Sequence, residues 1–477
     1  MKINFIKPIF FLLFSLLFGF SYLSYKSGEC KNQAIDQQNK YLCEKIKFLS
    51  KTNYFLDKGV YTINLLSKNY GKLGYFSLTN RVVNNSEDTK KRFSKLKPRF
   101  NFNYDKGTRE NAGYLLISFA DPNKDGNPSV ELWDLNKQTL IHSYAFNNDE
   151  LREYMGINLS IGHPLLLDDG SLIFNTTKGT LVKTDICGRI INSNGKEFFH
   201  HSIEMDDFGK IYIPTSVRFH KSEKLREDFI EDKITIIDKD LNILKNLSLI
   251  DVYKENGFIN DIFSSEFIPK DPFHINDIQP FVNSKNELIA LISLRNKSTL
   301  MAIDIEKNKI IWKIERISSG QHDIDIINTK DDHIDISIFD NNTFMYKEIN
   351  SKGNRFLTFS NLPTIFNNQP KVISSKKDLI EYEYNVDDFS WLSEHYRPKT
   401  TYQGQFEYIN NNNSLMVEET DFGRIFEIDL KNKKILWQFI NKKNKDSVNF
   451  FTSWSRRMEK LPSNLRKNDF KNCLNNQ

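Results

Sequence analysis

The sequence predicts an all-β fold: a six-bladed β-propeller behind an N-terminal transmembrane signal anchor and a short helical stalk. Three observations carry that expectation. From Gly113 onward helical periodicity fades, and short runs of alternating apolar and polar residues take over, separated by turns of Asp, Asn, Gly and Lys. These runs group into six loose units of roughly forty to fifty residues, each long enough for four strands, which is the arithmetic of a propeller. Most units also end in the same kind of hairpin, entered through Leu132-Trp133-Asp134, Lys183-Thr184-Asp185, Ile236-Ile237-Asp238, Ala302-Ile303-Asp304 and Glu427-Ile428-Asp429. An aspartate there can bond its own turn backbone.

In chain order, residues 1–25 come first. Lys2 and Lys7 precede an uncharged apolar run from Pro8 to about Leu23, close to the ~20 residues a membrane span needs. No small-residue cleavage site follows. The basic flank favours an uncleaved anchor with its N-terminus inside, and a cleaved signal peptide is the alternative. Either way the rest of the chain is expected outside the cytoplasm, in the periplasm or its equivalent. Residues 26–110 read as stalk and linker: Gln37–Leu49 and Leu56–Leu66 have helical spacing, and 82–110 is polar and charged. Residues 111–445 hold the six units, and 446–477 is a polar, basic tail expected to pack on the rim. Trp312 and Trp437, at the ends of two hairpins, are expected to pack between adjacent sheets.

The net charge of +5 is spread over interspersed acids and bases, with no clustered basic face, which argues against nucleic-acid binding. Of the four cysteines, Cys30 and Cys43 lie close together and can form a disulfide in an oxidising compartment or remain free thiols. Cys187 and Cys473 stand alone, and no CxxC pair suggests structural zinc.

Candidate site residues come from the repeat register. In a propeller the innermost strand of each blade runs along the axis, so one template position faces the axis at one height in every blade. His200 and His201, His274 with Asn276, and His322 each precede an alternating strand and a polar turn. His163 and Gln405 take comparable places in the second and sixth units. These residues are expected to converge on one end of the channel. Arg295 ends the strand after His274 and should lie beside it. His142, His220, His333 and His395 read instead as surface or hydrogen-bonded core histidines.

The ordered series HHSIEMDDFGKIYI, DPFHINDI with a downstream Ser293-Leu294-Arg295, GQHD, FDNN (Phe339–Asn342) and GRIFEID resembles the arylsulfotransferase family over roughly Gly113–Ile440. The resemblance implies a periplasmic or membrane-tethered six-bladed propeller that moves a sulfuryl group from an aryl sulfate to a phenol without a nucleotide donor. It implies catalytic roles for His201, His274, His322 and Arg295, with His322 as the nucleophile. Asn276, His200, His163 and Gln405 would then line the substrate pocket. No cofactor or metal is required by that chemistry. Two departures stand out. Ser202 replaces the family's usual aspartate after the histidine pair, removing a possible orienting carboxylate for His201, and Asp277 stands where serine is usual.

Two readings compete. Three histidines with Asp277, Asp323 or Asp340 could hold a divalent ion for hydrolysis, although Arg295 beside a metal is unfavourable. A membrane-anchored propeller could also serve as a scaffold, since fold does not fix function. A scaffold has no need for His201, His274, Arg295 and His322 to meet.

Overall fold

Alternation, turn aspartates and β-branched runs do build strands here, and the strands assemble as six antiparallel sheets of four or five strands each. The computed structural model describes residues 92–473, apart from 125, 156–159, 218–228, 265–269, 343–353, 375–379, 394–395, 401–402, 410–413, 445–446, 448, 463–464, 466–468 and 471–472. All described residues belong to one unit, Thr79–Gln477. The expected anchor (1–25), the two stalk helices, Cys30, Cys43, His220 and His395 lie outside the described residues. Among the described residues no helix is long and apolar enough to cross a membrane.

The sheets are six propeller blades. Blade 2 runs Ile161–Leu166, Leu172–Thr176, Leu181–Thr184, Ile190–Asn194 from the inside out. Blade 3 is built on Glu204–Met205, Ile211–Val217, Glu231–Ile237 and Ile243–Ser248. Blade 4 has Ile275–Val282, Leu288–Leu294, Thr299–Asp304 and Lys309–Glu315, with Lys371–Ile373 added in parallel at its outer edge. Blade 5 has His322–Lys330, His333–Asp340, Arg355–Pro363 and Ile380–Asn385. Blade 6 has Gln405–Ile409, Ser414–Glu419, Arg424–Asp429 and Lys434–Ile440.

Blade 1 closes the ring and departs from the expected layout. Its strands Tyr114–Asp121, Asn127–Asp134 and Thr139–Ser143 come from the start of the repeat region. Its innermost strand, Arg456–Met458, comes from the C-terminal tail and pairs with Tyr114–Leu116. The tail therefore enters the sheet instead of resting on the rim. At the other end, Arg99–Phe102, inside the stretch expected to be linker, adds a fifth strand to blade 6 opposite Trp437–Ile440. The tail strand completes blade 1 and so closes the ring, while Arg99–Phe102 covers the outer edge of blade 6.

The core lies between blades. Six apolar clusters fill the six gaps, one for each neighbouring pair. Trp312 lies fully buried between blades 4 and 5, its indole N–H donating to the Pro363 carbonyl at 3.0 Å. Trp437 fills the gap between blades 6 and 1, donating to Glu427 Oε2 at 2.6 Å. The turn aspartates behave as their position demands: Asp134 accepts from Lys137 N, Asp185 from Cys187 N and Arg189 N, Asp238 from Asp240 N and Asn242 N, and Asp429 from Asn432 N.

Side chains on or near the two innermost strands also tie blade to blade. Ser202 Oγ accepts the Ile278 amide at 3.0 Å, Asp277 Oδ2 accepts the Ile324 amide at 2.7 Å, and Asp323 Oδ2 accepts the Phe406 amide at 2.7 Å. Glu418 Oε2 closes the series on the Ser455 amide at 2.7 Å. Each bond satisfies a buried inner-strand N–H that would otherwise cost a desolvation penalty.

A disulfide joins Cys187, in a turn of blade 2, to Cys473, 286 residues later. It anchors the tail that carries the closing strand. Sequence spacing offered no hint of it, because the two cysteines meet only once the ring is closed. Reducing it, or replacing Cys473 with serine, is expected to lower unfolding free energy by roughly 2–5 kcal/mol. Denaturant midpoints with and without reductant measure this.

Candidate functional site

The site forms where the chain turns into the inner strands. His163, His201 and His274 each occupy the left-handed region, with φ of 48°, 57° and 52°. Trp454 does the same in blade 1 at 61° and Asp323 in blade 5 at 56°. Such conformations are uncommon for non-glycine residues and cost energy, so a set of them at one end of the channel marks a place where geometry outranks stability. These residues lie at or near the start of the inner strands.

The rings meet. His201 and His274 face each other through their Nε2 atoms at 3.1 Å, with centroids 5.0 Å apart. His200 lies 5.1 Å from His201 and 6.1 Å from His274, and His322 lies 6.5 Å from His201. His163 completes the group, 6.1 Å from His201 and packed against the Trp454 indole at 4.2 Å, the two rings tilted by 33°. Arg295 stands opposite His274 on the next strand, its amide donating to the His274 carbonyl at 3.1 Å. The guanidinium is buried and donates to Asn296 Oδ1 at 3.1 Å. Residues from blades 1 to 5 thus share one polar pocket.

Neighbouring groups fix each ring. The His322 Nδ1 lies 2.6 Å from Asn341 Oδ1, while the Asn341 amide group donates to the Gln403 carbonyl at 2.7 Å. That second bond sets which way the amide points, so its oxygen must accept from Nδ1–H and the lone pair of His322 is left on Nε2. The His274 Nδ1 lies 2.6 Å from Asp271 Oδ2. His200 Nε2 lies 3.3 Å from Asp232 Oδ1, whose other oxygen accepts the Ile275 amide. The His201 carbonyl accepts from the Asn175 amide at 2.5 Å.

Electrostatics favour neutral rings at His322, His201 and His163. Burial, then the Arg295 charge, pushes His322 down to about 3. Burial first and neighbouring histidines second push His201 well below the ordinary imidazole value. Burial first, with the nearby Arg456, does the same to His163. Three residues further along the inner strands stand Glu204, Asp277 and Asp325, and Arg456 donates to Glu204 Oε2 at 2.8 Å. Burial, with nearby carboxylates, raises Asp277 and Asp325 well above the usual carboxylate range.

The sequence-based candidates fare unequally. His163, His200, His201, His274, Arg295 and His322 come together. Asn276 is buried beside them, but its amide group donates to the Gln321 carbonyl at 2.6 Å, so it braces the backbone before His322. Gln405 does not join: its amide group is committed to Ser455 and Glu418. The left-handed residue of blade 6 that matches the histidines is Gln403, at φ 54°, two positions earlier. Ser202 carries an inter-blade bond, as Asp277 and Asp323 do, and is not an orienting group for His201. His142 is a core residue stacked 4.4 Å from Phe470, which burial pushes down to about 4, and His333 is exposed. Asp271, Asn341 and Trp454 escaped the sequence reading. The first two lie within DPFH and FDNN, where their distance from the rings they hold gives the only signal. Among the described residues, no group of three or more His, Cys, Asp or Glu is arranged to hold a metal ion.

The arylsulfotransferase (ASST) family model matches residues 163–442, more than half of the chain and five of the six blades. No curated protein matches the sequence. Among solved structures, similarity extends to the β-propeller domain of Cps50 (Swd1) from Myceliophteria thermophila (10% identity, 71% of this chain and 88% of that one, TM-score 0.38). It also extends to hydrazine synthase from Kuenenia stuttgartiensis (11% identity, 68% and 75%, TM-score 0.36) and BamB from Moraxella catarrhalis (11%, 72% and 82%, TM-score 0.31).

Proposed function

Because the chain belongs to the arylsulfotransferase family, we propose that it moves a sulfuryl group from an aryl sulfate to a phenol through a covalent intermediate on His322. The observation that carries this is the Asn341 carbonyl on His322 Nδ1, which leaves a neutral Nε2 lone pair beside Arg295 and two further histidines.

In this reading His322 Nε2 attacks sulfur as the aryl oxygen leaves, splitting one transfer into two displacements. Attack makes the His322 ring cationic, and its Nδ1–H then donates more strongly to Asn341. Arg295 and His274 neutralise the sulfuryl oxygens, a preorganised electrostatic role. A proton from the His201–His274 pair goes to the departing phenolate. In the second half the acceptor phenol returns that proton, its oxygen bonds to sulfur and the N–S bond breaks. His200 and the His163–Trp454 pair flank the pocket, where an aromatic ring has a flat face to rest on.

The N-terminal apolar segment and the Cys187–Cys473 bond support a membrane-anchored propeller on the oxidising side of the membrane. Protease protection of whole cells against permeabilised ones tests that placement.

The direct test of the activity is release of a chromogenic phenol from its sulfate ester, with and without a second phenol. Turnover that depends on the acceptor supports transfer. Release at equal rate without one, with sulfate as product, would make the protein a sulfatase. Removing the tautomer lock by Asn341→Leu should lower kcat about 10–100-fold, the effect of one lost buried hydrogen bond. Because His322 is held near 3, its neutral form persists through the acid range, and the nucleophile should not titrate near the ordinary value of about 6.5. A kcat profile measured between about pH 4 and 9 checks this.

A further inference from the structure

Asp271 lies three residues before His274, in the segment that enters blade 4, and is buried. Its backbone is pinned, with the Asn296 amide group donating to the Asp271 carbonyl at 2.6 Å. Its carboxylate Oδ2 is 2.6 Å from His274 Nδ1, and the other ring nitrogen of His274 is 3.1 Å from His201 Nε2. Two ring nitrogens at that separation need one proton between them: two lone pairs would repel, and two N–H groups would clash. A carboxylate is acceptor only, so it requires a proton on Nδ1 of His274. Asp271, His274 and His201 therefore form one chain of hydrogen bonds, reaching from a buried carboxylate to the pocket. Ser202, spent on the Ile278 amide, supplies no carboxylate to this chain, and Asp271 does so from the other end.

We infer that Asp271 is a positioning residue for the acid–base step: it pairs with His274 as the imidazolium, so that the His274–His201 pair carries one proton more than two neutral rings and can give it to the departing phenolate. The inference rests on the transfer reading above. The proton count closes. His274 holds one proton on Nδ1 facing Asp271 and one on Nε2 facing neutral His201. As the aryl S–O bond breaks and the bond from sulfur to His322 forms, the His274 Nε2 proton moves onto His201 Nε2 while His201 gives its Nδ1 proton to the phenolate oxygen, leaving both rings neutral with one proton still between them. The acceptor phenol restores it in the second half. Among the described residues, the other charged or titratable groups named around His274 are His200, His201, His322, Arg295 and Asp232. Among these, His200 has Asp232 3.3 Å from its Nε2, and Arg295 disfavours added charge on the pocket. Asp271 is the carboxylate in direct contact with the His274 ring.

The test compares the whole protein with Asp271→Asn and Asp271→Ala on aryl sulfates whose phenols range from acidic nitrophenols to unsubstituted phenol. Asparagine keeps an acceptor for Nδ1–H and removes the charge. Loss of acid assistance should slow the poor leaving groups about 100-fold and the nitrophenyl ester only a few-fold, within the usual reach of general acid catalysis. Asp271→Glu should restore part of the loss. Equal slowing of every donor would overturn the inference, because a structural defect does not discriminate between leaving groups. Nitrogen-15 spectra of labelled histidine, assigned with His274→Gln, give a readout that needs no turnover. His274 should show both ring nitrogens protonated in the wild type and lose that signature in Asp271→Asn. An unchanged His274 spectrum would also overturn the inference. If the wild type turns over no aryl sulfate, the transfer reading falls while the spectra still decide what Asp271 does.

Discussion

Replacing His322 with alanine is expected to lower sulfuryl transfer by a factor on the order of 10³–10⁶, the range seen when a covalent nucleophile is removed. The size follows from the pathway. Without Nε2 the two displacements collapse into one that requires donor and acceptor in the pocket together. His201 and His274 are turned toward each other, and their Nε2 atoms are occupied. The loss should fall on kcat more than on KM, since Arg295, His200 and the His163–Trp454 pair remain to bind the donor. The blades around position 322 are held by the Asp277 and Asp323 bonds, which do not use the imidazole. Circular dichroism and denaturant midpoints should therefore stay close to wild type. A variant that keeps more than about a tenth of the activity would remove His322 from the nucleophile's role.

The second large effect is expected at Arg295. Arg295→Met should cost about 10²–10³ in kcat, comparable with removing one donor aimed at developing charge in other enzymes. Arg295→Lys should recover only part, because a point charge cannot reproduce a planar, forked donor set. The substitution also carries a pH signature with a definite sign. The Arg295 charge is one of the causes that hold His322 down at about 3. Removing a nearby cation makes protonation of His322 easier, so the acid limb of the kcat profile should move to higher pH in Arg295→Met. A limb that moves to lower pH, or does not move, would place the guanidinium away from His322.

Much of this was legible in the sequence, for reasons that are physical. The hairpin aspartates declare their turns by local chemistry, as Asp185 and Asp238 show, and the loose repeat of those turns gives the blade count. The pairing of His274 with Arg295 follows from counting residues across one hairpin, and the structure puts their backbones in direct hydrogen bond. The remainder depended on closure of the ring. Arg456–Met458 is a three-residue strand with no alternation to announce it, and its partner lies at the far end of the repeat region. The Cys187–Cys473 bond and the Trp454 platform arrive with that strand, so they were equally hidden. Gln405 was misjudged for a subtler reason. Repeat register places residues by strand position, but the histidines of blades 2, 3 and 4 sit at a left-handed residue near the strand entry. In blade 6 that residue is Gln403. Asp271 and Asn341 act on the far side of the rings, at Nδ1, where no register argument looks.

The account turns on one bond, between sulfur and His322 Nε2. Incubating the protein with an aryl sulfate in the absence of acceptor, quenching under alkaline conditions and mapping the peptides by mass spectrometry reads it directly. A sulfuryl adduct on the peptide bearing His322, discharged on adding a phenol and absent from His322→Ala, is the predicted result. An adduct on another residue, or transfer that proceeds with His322 unlabelled at every stage of turnover, would contradict it.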